Sequence, residues 1–303
     1  MQKFYMNYAN DAFKVQQKRN TEQVKNIGGI ENVISYSPKD IDDKFYKENK
    51  KLLNKVRGGG YWVWKFYFIH KILTSNKMKN GDVLFYCDCG VEVLKDLNPL
   101  YELPKKYKSD IILFDGKCED WPKCGEYTKR DAFILMDCDE DGAYDFLMCV
   151  GTFHMWRKSS KSIAFIEQCL KYACQTNIID DSTSKLGDDL PEYKVHRHDQ
   201  SLISLAAYKN NIKAVDSILE CIYDYSISIN NPIDKKVDFK NPKTYLIPNR
   251  GAHNRNYWQR LRYNIALLRP EFTEIIGRRG GFWGYVMYKS GLNKISLNFR
   301  KYK

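Results

Sequence analysis

The sequence predicts an α/β domain, with a mostly parallel central sheet flanked by helices. Two observations carry this. Short apolar runs rich in Val, Ile, Phe and Tyr alternate with longer polar or amphipathic stretches of helical periodicity. That alternation leaves room for the helical crossovers that parallel strands require. Size agrees: 303 residues, 43% hydrophobic and 14% aromatic, can bury a sizeable core.

The elements follow in order. KFYMNYA (Lys3–Ala9) reads as a first strand, and Asp11–Asn26 as a helix with Asp11 as a cap. NVISYSP (Asn32–Pro38) is a second strand stopped by proline, and Pro38–Val56 a polar helical stretch. Tyr61–Leu73 is apolar at helical spacing and follows three glycines, and Val83–Tyr86 is a short apolar strand. Ser109–Gly116, Asp131–Cys138 and Phe146–Trp156 are further apolar runs. Ser162–Cys174 and Ser201–Asn211 read as helices. No internal repeat or low-complexity linker is visible. The chain divides into a domain over residues 1–230 and a basic, Arg-, Asn- and aromatic-rich C-terminal extension over residues 231–303, packed on the same domain.

The net charge is +12, from 49 Lys and Arg against 37 Asp and Glu. A basic excess suits nucleic acid, an anionic membrane or polysaccharide surface, or phosphorylated small substrates, and it also arises from lysines that solvate a surface. The N-terminus turns polar within ten residues, so no secretory signal is read, and no apolar run has membrane-spanning length. The nine cysteines include no CxxC pair. They read as reduced thiols of a cytoplasmic protein, and a zinc site is not expected.

Three stretches have the residue types for chemistry. RGGGYWVWK (Arg57–Lys65) places three glycines between two cations, just before a helix. The backbone there can approach a phosphate, and the helix dipole favours negative charge. The plain alternative is a turn leading into a core helix. GDVLFYCDCG (Gly81–Gly90) ends an apolar strand on Asp88, where ligands collect in α/β sheets. Asp88 is a candidate ligand for a hard divalent cation, or simply the cap of the next turn. Gly90 stands where a DxD motif would have its second carboxylate. HRHDQS (His196–Ser201) gathers two imidazoles, a guanidinium, a carboxylate and an amide. Asp199 is either the N-cap of a helix from Gln200 or, with His198, a general base or metal ligand.

Taken in order, RGGGYWVWK, GDVLFYCDCG, YTKRD and HRHDQS resemble a family of bacterial and large-virus glycosyltransferases of GT-A fold. That family carries GxGYWxWKP, GDxxxYxDxG, TKRD and HRHDQS segments, and the resemblance spans Lys3 to Asn211. Phe66 replaces the proline after the lysine, and Gly59 stands where the family often has an aromatic residue. The resemblance implies a nucleotide-sugar donor, a UDP-sugar before others, and a glycan or other hydroxyl acceptor. It makes residues 1–230 the nucleotide-sugar-binding and catalytic domain. Tyr8, Ala9, Asn10, Arg57, Gly58, Tyr61, Lys65, Asp88 and Gly90 would bind the donor. Lys129, Arg130, Asp131, His198 and Gln200 would line the sugar or acceptor side, with Asp199 as the catalytic residue. A divalent metal, manganese or magnesium, would sit on Asp88 and His253. The setting would be the cytoplasm, that of the host if the chain is viral.

Transfer of a sugar breaks a bond to a diphosphate and needs cations around the leaving group. A metal on Asp88, with Arg57, Lys65 or C-terminal arginines, would supply them. Asp199 would activate the acceptor hydroxyl in an inverting enzyme, while a retaining one needs no base in that role. Two other classes compete. One is a nucleic-acid-binding protein that uses the tail around Tyr257, Trp258, Arg260 and Arg262. The other is a GT-A scaffold without activity, serving as a binding module.

Overall fold

A computed structural model describes residues 1–119, 121–220 and 245–248. The centre is a five-stranded sheet in the order β2 (Asn32–Tyr36), β1 (Lys3–Tyr8), β3 (Val83–Cys87), β6 (Phe153–Arg157), β5 (Ile111–Ile112). β1 pairs in parallel with both β2 and β3, and β6 runs antiparallel to β3 and to β5. All strands but β6 therefore point the same way, as the mostly parallel expectation has it. A separate two-stranded ribbon pairs β4 (Val91–Val93) antiparallel with β7 (Leu246–Pro248).

Helices cover both faces. They include α1 (Lys14–Asn26), the short α2 (Asp43–Glu48) and α3 (Lys50–Leu53), α4 (Val63–Thr74), α5 (Arg130–Leu135), α6 (Ser160–Ala173) and α7 (Asp199–Lys209). The period-2 alternation of each strand divides the core into two layers. Met6, Tyr8, Leu84 and Tyr86 face α4, α6 and α7, where Phe66, Ile69, Phe165, Ile166, Leu202 and Leu205 pack. Tyr5, Val83, Phe85 and Cys87 face the other way, against Val24, Val91, Leu97 and Tyr101. Each fully buried aromatic or aliphatic side chain contributes on the order of 2 kcal/mol. Among the described residues no helix is long and apolar enough to cross a membrane.

Some expectations shift. Asp11 opens a 3-10 turn (Asp11–Phe13) instead of capping α1, and it pairs with Lys14 at 2.6 Å. Pro38 begins a 3-10 turn, in which Ser37 and Asp40 bond reciprocally. The polar stretch to Val56 breaks into α2 and α3. The apolar run from Ser109 gives only Ile111–Ile112 as strand, because it is an edge whose later residues make isolated bridges to Val215 and Cys149. Apolar character was a poor guide at Asp131–Cys138, where the run is the buried face of α5 and its C-terminal turn. The strand β4 was not anticipated. Its three residues, Val-Glu-Val, are too few to mark a strand. The division at residue 230 falls in a stretch outside the described residues, as does all of the extension except Tyr245–Pro248.

Candidate functional site

The site lies at the edge of the sheet where β1 and β3 end and β6 begins. Asp88 follows β3, and its N–H donates to Thr152 O at 2.8 Å, which joins it to the segment entering β6. Lys65 stands one turn into α4, and Asp199 is the first residue of α7. The helix thus starts one residue earlier than the sequence suggested. Its N-cap is His198, in the left-handed region at φ 50°, with no side-chain cap. The carboxylate of Asp199 is therefore not a cap. Its Oδ2 accepts from the Lys65 ammonium. That ammonium also donates to Gly151 O at 2.6 Å and lies 3.8 Å from Oδ1 of Asp88. A single buried cation is shared by two carboxylates. Burial raises the Asp199 carboxyl above its usual range, Lys65 pulls it back, and Asp88 pushes it up again.

Tyr86 completes the cluster. It is fully buried on β3, two residues before Asp88 and on the same face. Its hydroxyl donates to Oδ1 of Asp88, and the Lys65 ammonium lies 5.0 Å from its ring centroid. His154, its partner across the β3–β6 ladder, stacks on it at 4.8 Å and is also fully buried. Burial, then Lys65, holds His154 well below the usual histidine range, so it is neutral. Trp156 Nε1–H donates to its Nδ1 at 2.8 Å, which leaves the hydrogen on Nε2.

The glycine run forms a left-handed turn. Gly58, Gly59, Gly60, Tyr61 and Trp62 all have positive φ, from 52° to 93°. Two of the glycines are needed sterically as well. A Cβ on Gly58 would lie 2.5 Å from the Trp62 ring, and one on Gly60 2.9 Å from Leu53 Cα. A Cβ on Gly59 would meet only ordinary contacts, Trp64 Nε1 at 3.7 Å and the Tyr8 hydroxyl at 3.8 Å. The turn is locked by Trp64 Nε1–H donating to Gly58 O at 2.8 Å, and Trp64 stacks on Tyr8 at 3.7 Å. This ties the glycine turn to the end of β1, where Ala9 and Asn10 follow. Ala9 N–H donates to Tyr36 O at 3.0 Å, and Asn10 Oδ1 is buried with no partner among the described residues. Gly90 lies in the turn after Asp88, where its carbonyl accepts from Arg19 at 3.4 Å.

Arg57 is half-exposed and pairs with Asp181 at 3.2 Å. His198 Nε2 lies 3.4 Å from the same carboxylate, and its ring packs beside Tyr61 and Trp62. Gln200 donates to Glu119 at 2.9 Å. The structure thus brings Tyr8, Arg57, Gly58, Tyr61, Lys65, Asp88, His198 and Asp199 into two linked clusters. The TKRD residues are placed differently. Lys129 is buried, and its ammonium is spent on Asp180 and Ser182. Arg130 pairs with Asp139 at 2.8 Å, and Asp131 Oδ1 accepts the N–H groups of Lys185 and Leu186. His253 lies outside the described residues, as do Tyr257, Trp258, Arg260 and Arg262.

Sequence reading missed Tyr86, Gly151 and Asp181. For Tyr86 the signal was its i−2 relation to Asp88. For Gly151 it was a glycine just ahead of a strand. For Asp181, inside DDSTSKLGDD, there was none.

Of the two expected metal ligands only Asp88 lies among the described residues. Its Oδ1 already accepts the Tyr86 hydroxyl, and an ammonium sits 3.8 Å from the same atom, where it would repel a second cation. Among the described residues no three His, Cys, Asp or Glu side chains come together as a metal cage. Cys87 and Cys89 are free, and burial raises both thiols, that of Cys89 to about 12.

No protein-family model matches the sequence, and neither does any curated protein. Solved structures with a similar course of chain include glycosyltransferases. Mouse xyloside xylosyltransferase 1 in its apo form is 7% identical, with a TM-score of 0.42 over 74% of this chain and 87% of that one. The galactosyltransferase LgtC, solved with donor and acceptor sugar analogues, is 11% identical with a TM-score of 0.38 over 72% and 74%. The bifunctional glycosyltransferase WbbM is 8% identical with a TM-score of 0.46 over 82% of this chain and 45% of that one. The chain thus spans less than half of WbbM. At these scores the likeness is one of general course, and the functional reading rests on this chain's own residues.

Proposed function

We propose that the protein transfers a glycosyl group from a nucleoside-diphosphate sugar, a UDP-sugar first among them, to a hydroxyl acceptor such as a glycan. The observation that carries this reading is the Lys65 ammonium bonded to Asp199 and set beside Asp88 at the strand ends of an α/β sheet. The ordered resemblance of four segments supports it.

The chemistry fits the chain's own groups. As the C1–oxygen bond to the diphosphate lengthens, positive charge grows on the sugar and negative charge on the leaving oxygen. Arg57, half-exposed beside the glycine turn, supplies a cation to the leaving group, and the buried Lys65 offsets the charge of Asp88 and Asp199. Carboxylates near the sugar stabilise the oxocarbenium-like state. Burial raises the proton affinity of the Asp199 carboxyl, which improves it as a base for the acceptor hydroxyl in an inverting reaction. Tyr8 and Trp64, stacked at the end of β1, form the wall beside which a nucleoside would lie. A metal, if the full chain binds one, would add charge to the diphosphate, and no step here depends on it.

The test is thermal shift with UDP-, GDP- and TDP-sugars, with and without manganese, followed by NMR of the product with a glycan acceptor. A donor-dependent rise in Tm, roughly 2–4 °C per kcal/mol of linkage for a chain of this size, is expected. No shift with any donor, together with tight, salt-sensitive RNA binding, overturns the reading.

A further inference from the structure

The segment from Asp180 to Asp189 has no regular secondary structure, yet it is fastened at three points by three consecutive residues. The Lys129 ammonium donates to Asp180 Oδ1 at 2.6 Å, Asp180 O at 3.1 Å, Ser182 Oγ at 3.2 Å and Ser182 O at 3.3 Å. Arg130 N–H donates to Asp189 Oδ1 at 2.7 Å, and that oxygen also accepts from Ser184 Oγ. Asp131 Oδ1 accepts from the N–H groups of Lys185 at 2.8 Å and Leu186 at 2.9 Å. Lys129 and Asp131 are each 1% exposed, and every contact of the Lys129 ammonium lies in this loop. Their work is to hold this loop.

From this loop Asp181, 39% exposed, faces Arg57 at 3.2 Å and His198 Nε2 at 3.4 Å, and it also accepts a hydrogen bond from the Tyr61 hydroxyl. The His198 contact is informative. Its Nδ1 lies 2.7 Å from Ile179 O, which can only accept, so Nδ1 carries the hydrogen. In the neutral ring Nε2 is then an acceptor, and it is buried without a donor among the described residues. Two acceptors, Nε2 and the Asp181 carboxylate, sit side by side beside an exposed cation. That arrangement matches a ligand hydroxyl, which brings the missing donor. A further anion would be repelled by Asp181.

We propose that Asp181 is a specificity-determining residue that recognises a sugar hydroxyl together with His198 Nε2, and that Lys129 is the positioning residue that sets it there. The naming of the ligand as a sugar rests on the glycosyltransferase reading, whereas the clamp does not. The test uses the full chain in two arms. Hydrogen exchange of the 180–189 peptide is compared in wild type, Lys129→Met and Lys129→Arg, with the α6 peptide as a control for folding. The loop exchanges at least about tenfold faster in Lys129→Met and is partly restored in Lys129→Arg, and equal exchange in all three overturns the clamp. In the second arm, saturation-transfer NMR with methyl β-glucoside, methyl β-galactoside and methyl β-xyloside compares wild type with Asp181→Asn. At least one glycoside binds wild type and weakens by about 10- to 100-fold in the variant, as loss of a charged hydrogen bond predicts. Equal binding, or no glycoside bound by wild type, overturns the role of Asp181. Failure of donor turnover alone would sink the transferase reading and leave both arms decisive.

Discussion

Lys65 Nζ donates to Oδ2 of Asp199, a contact between residues 134 positions apart that joins α4 to the start of α7 at the strand ends. Both groups are nearly out of water. A buried charge that loses its partner is costly, by about 3–5 kcal/mol, whereas removing both charges costs much less. Lys65→Met is therefore expected to destabilise the fold by about 3 kcal/mol or more. The double variant Lys65→Met/Asp199→Asn should recover at least about 1 kcal/mol of that. Denaturant unfolding of the two singles and the double gives the coupling, and strict additivity would contradict the shared-cation geometry.

Tyr86→Phe keeps the ring under Lys65 and removes only the hydroxyl that donates to Asp88. The fold is expected to change by no more than about 1.5 kcal/mol, the worth of one hydrogen bond. Asp88 loses its fixed orientation, so donor affinity falls by about tenfold, measured by calorimetric titration. Wild-type affinity would remove Tyr86 from the account.

The glycine turn separates steric need from conformational need. Gly58→Ala and Gly60→Ala meet both a positive φ and atoms within 3.0 Å, and each is expected to cost about 2–4 kcal/mol. Gly59→Ala has only the left-handed φ against it and is expected to cost about 1 kcal/mol. Thermal unfolding of the three alanine variants orders them, and Gly59 as the most sensitive position would contradict the turn.

Acid should weaken the fold through its buried histidines. Burial lowers the pKa of His154, His196 and His198 below the ordinary 6.5. The unfolded chain then takes up protons below about pH 6.5 that the folded chain refuses, so stability falls as pH drops through that value. Each such histidine adds a slope of up to about 1.4 kcal/mol per pH unit. Denaturant unfolding between pH 7.5 and 5 checks this, and a flat profile would contradict the neutral burial of these rings.

Much of this was legible in the residues, for physical reasons that differ by element. β1, β3 and α4 were readable as continuous apolar runs because nearly every residue is buried, and α6 by its helical spacing because only one face meets the core. α5 and β4 were not, since six and three residues are too few to display a period. At the site, Lys65, Asp88 and Asp199 could be singled out one at a time, but their convergence on one ammonium is a property of the fold. Lys129, Arg130 and Asp131 show the converse. The TKRD resemblance marked them as ligand contacts, whereas the Lys129 ammonium and the Asp131 carboxylate are engaged by the 180–189 loop and the Arg130 guanidinium by Asp139.

The central claim is that the Lys65–Asp199 cluster performs transfer. Its most direct test is the rate of sugar transfer from a UDP-sugar by wild type and Asp199→Asn, with donor affinity measured on the same samples. Transfer lowered by at least about 100-fold, with donor affinity within about threefold of wild type, is the predicted result. Transfer by Asp199→Asn at the wild-type rate would contradict it.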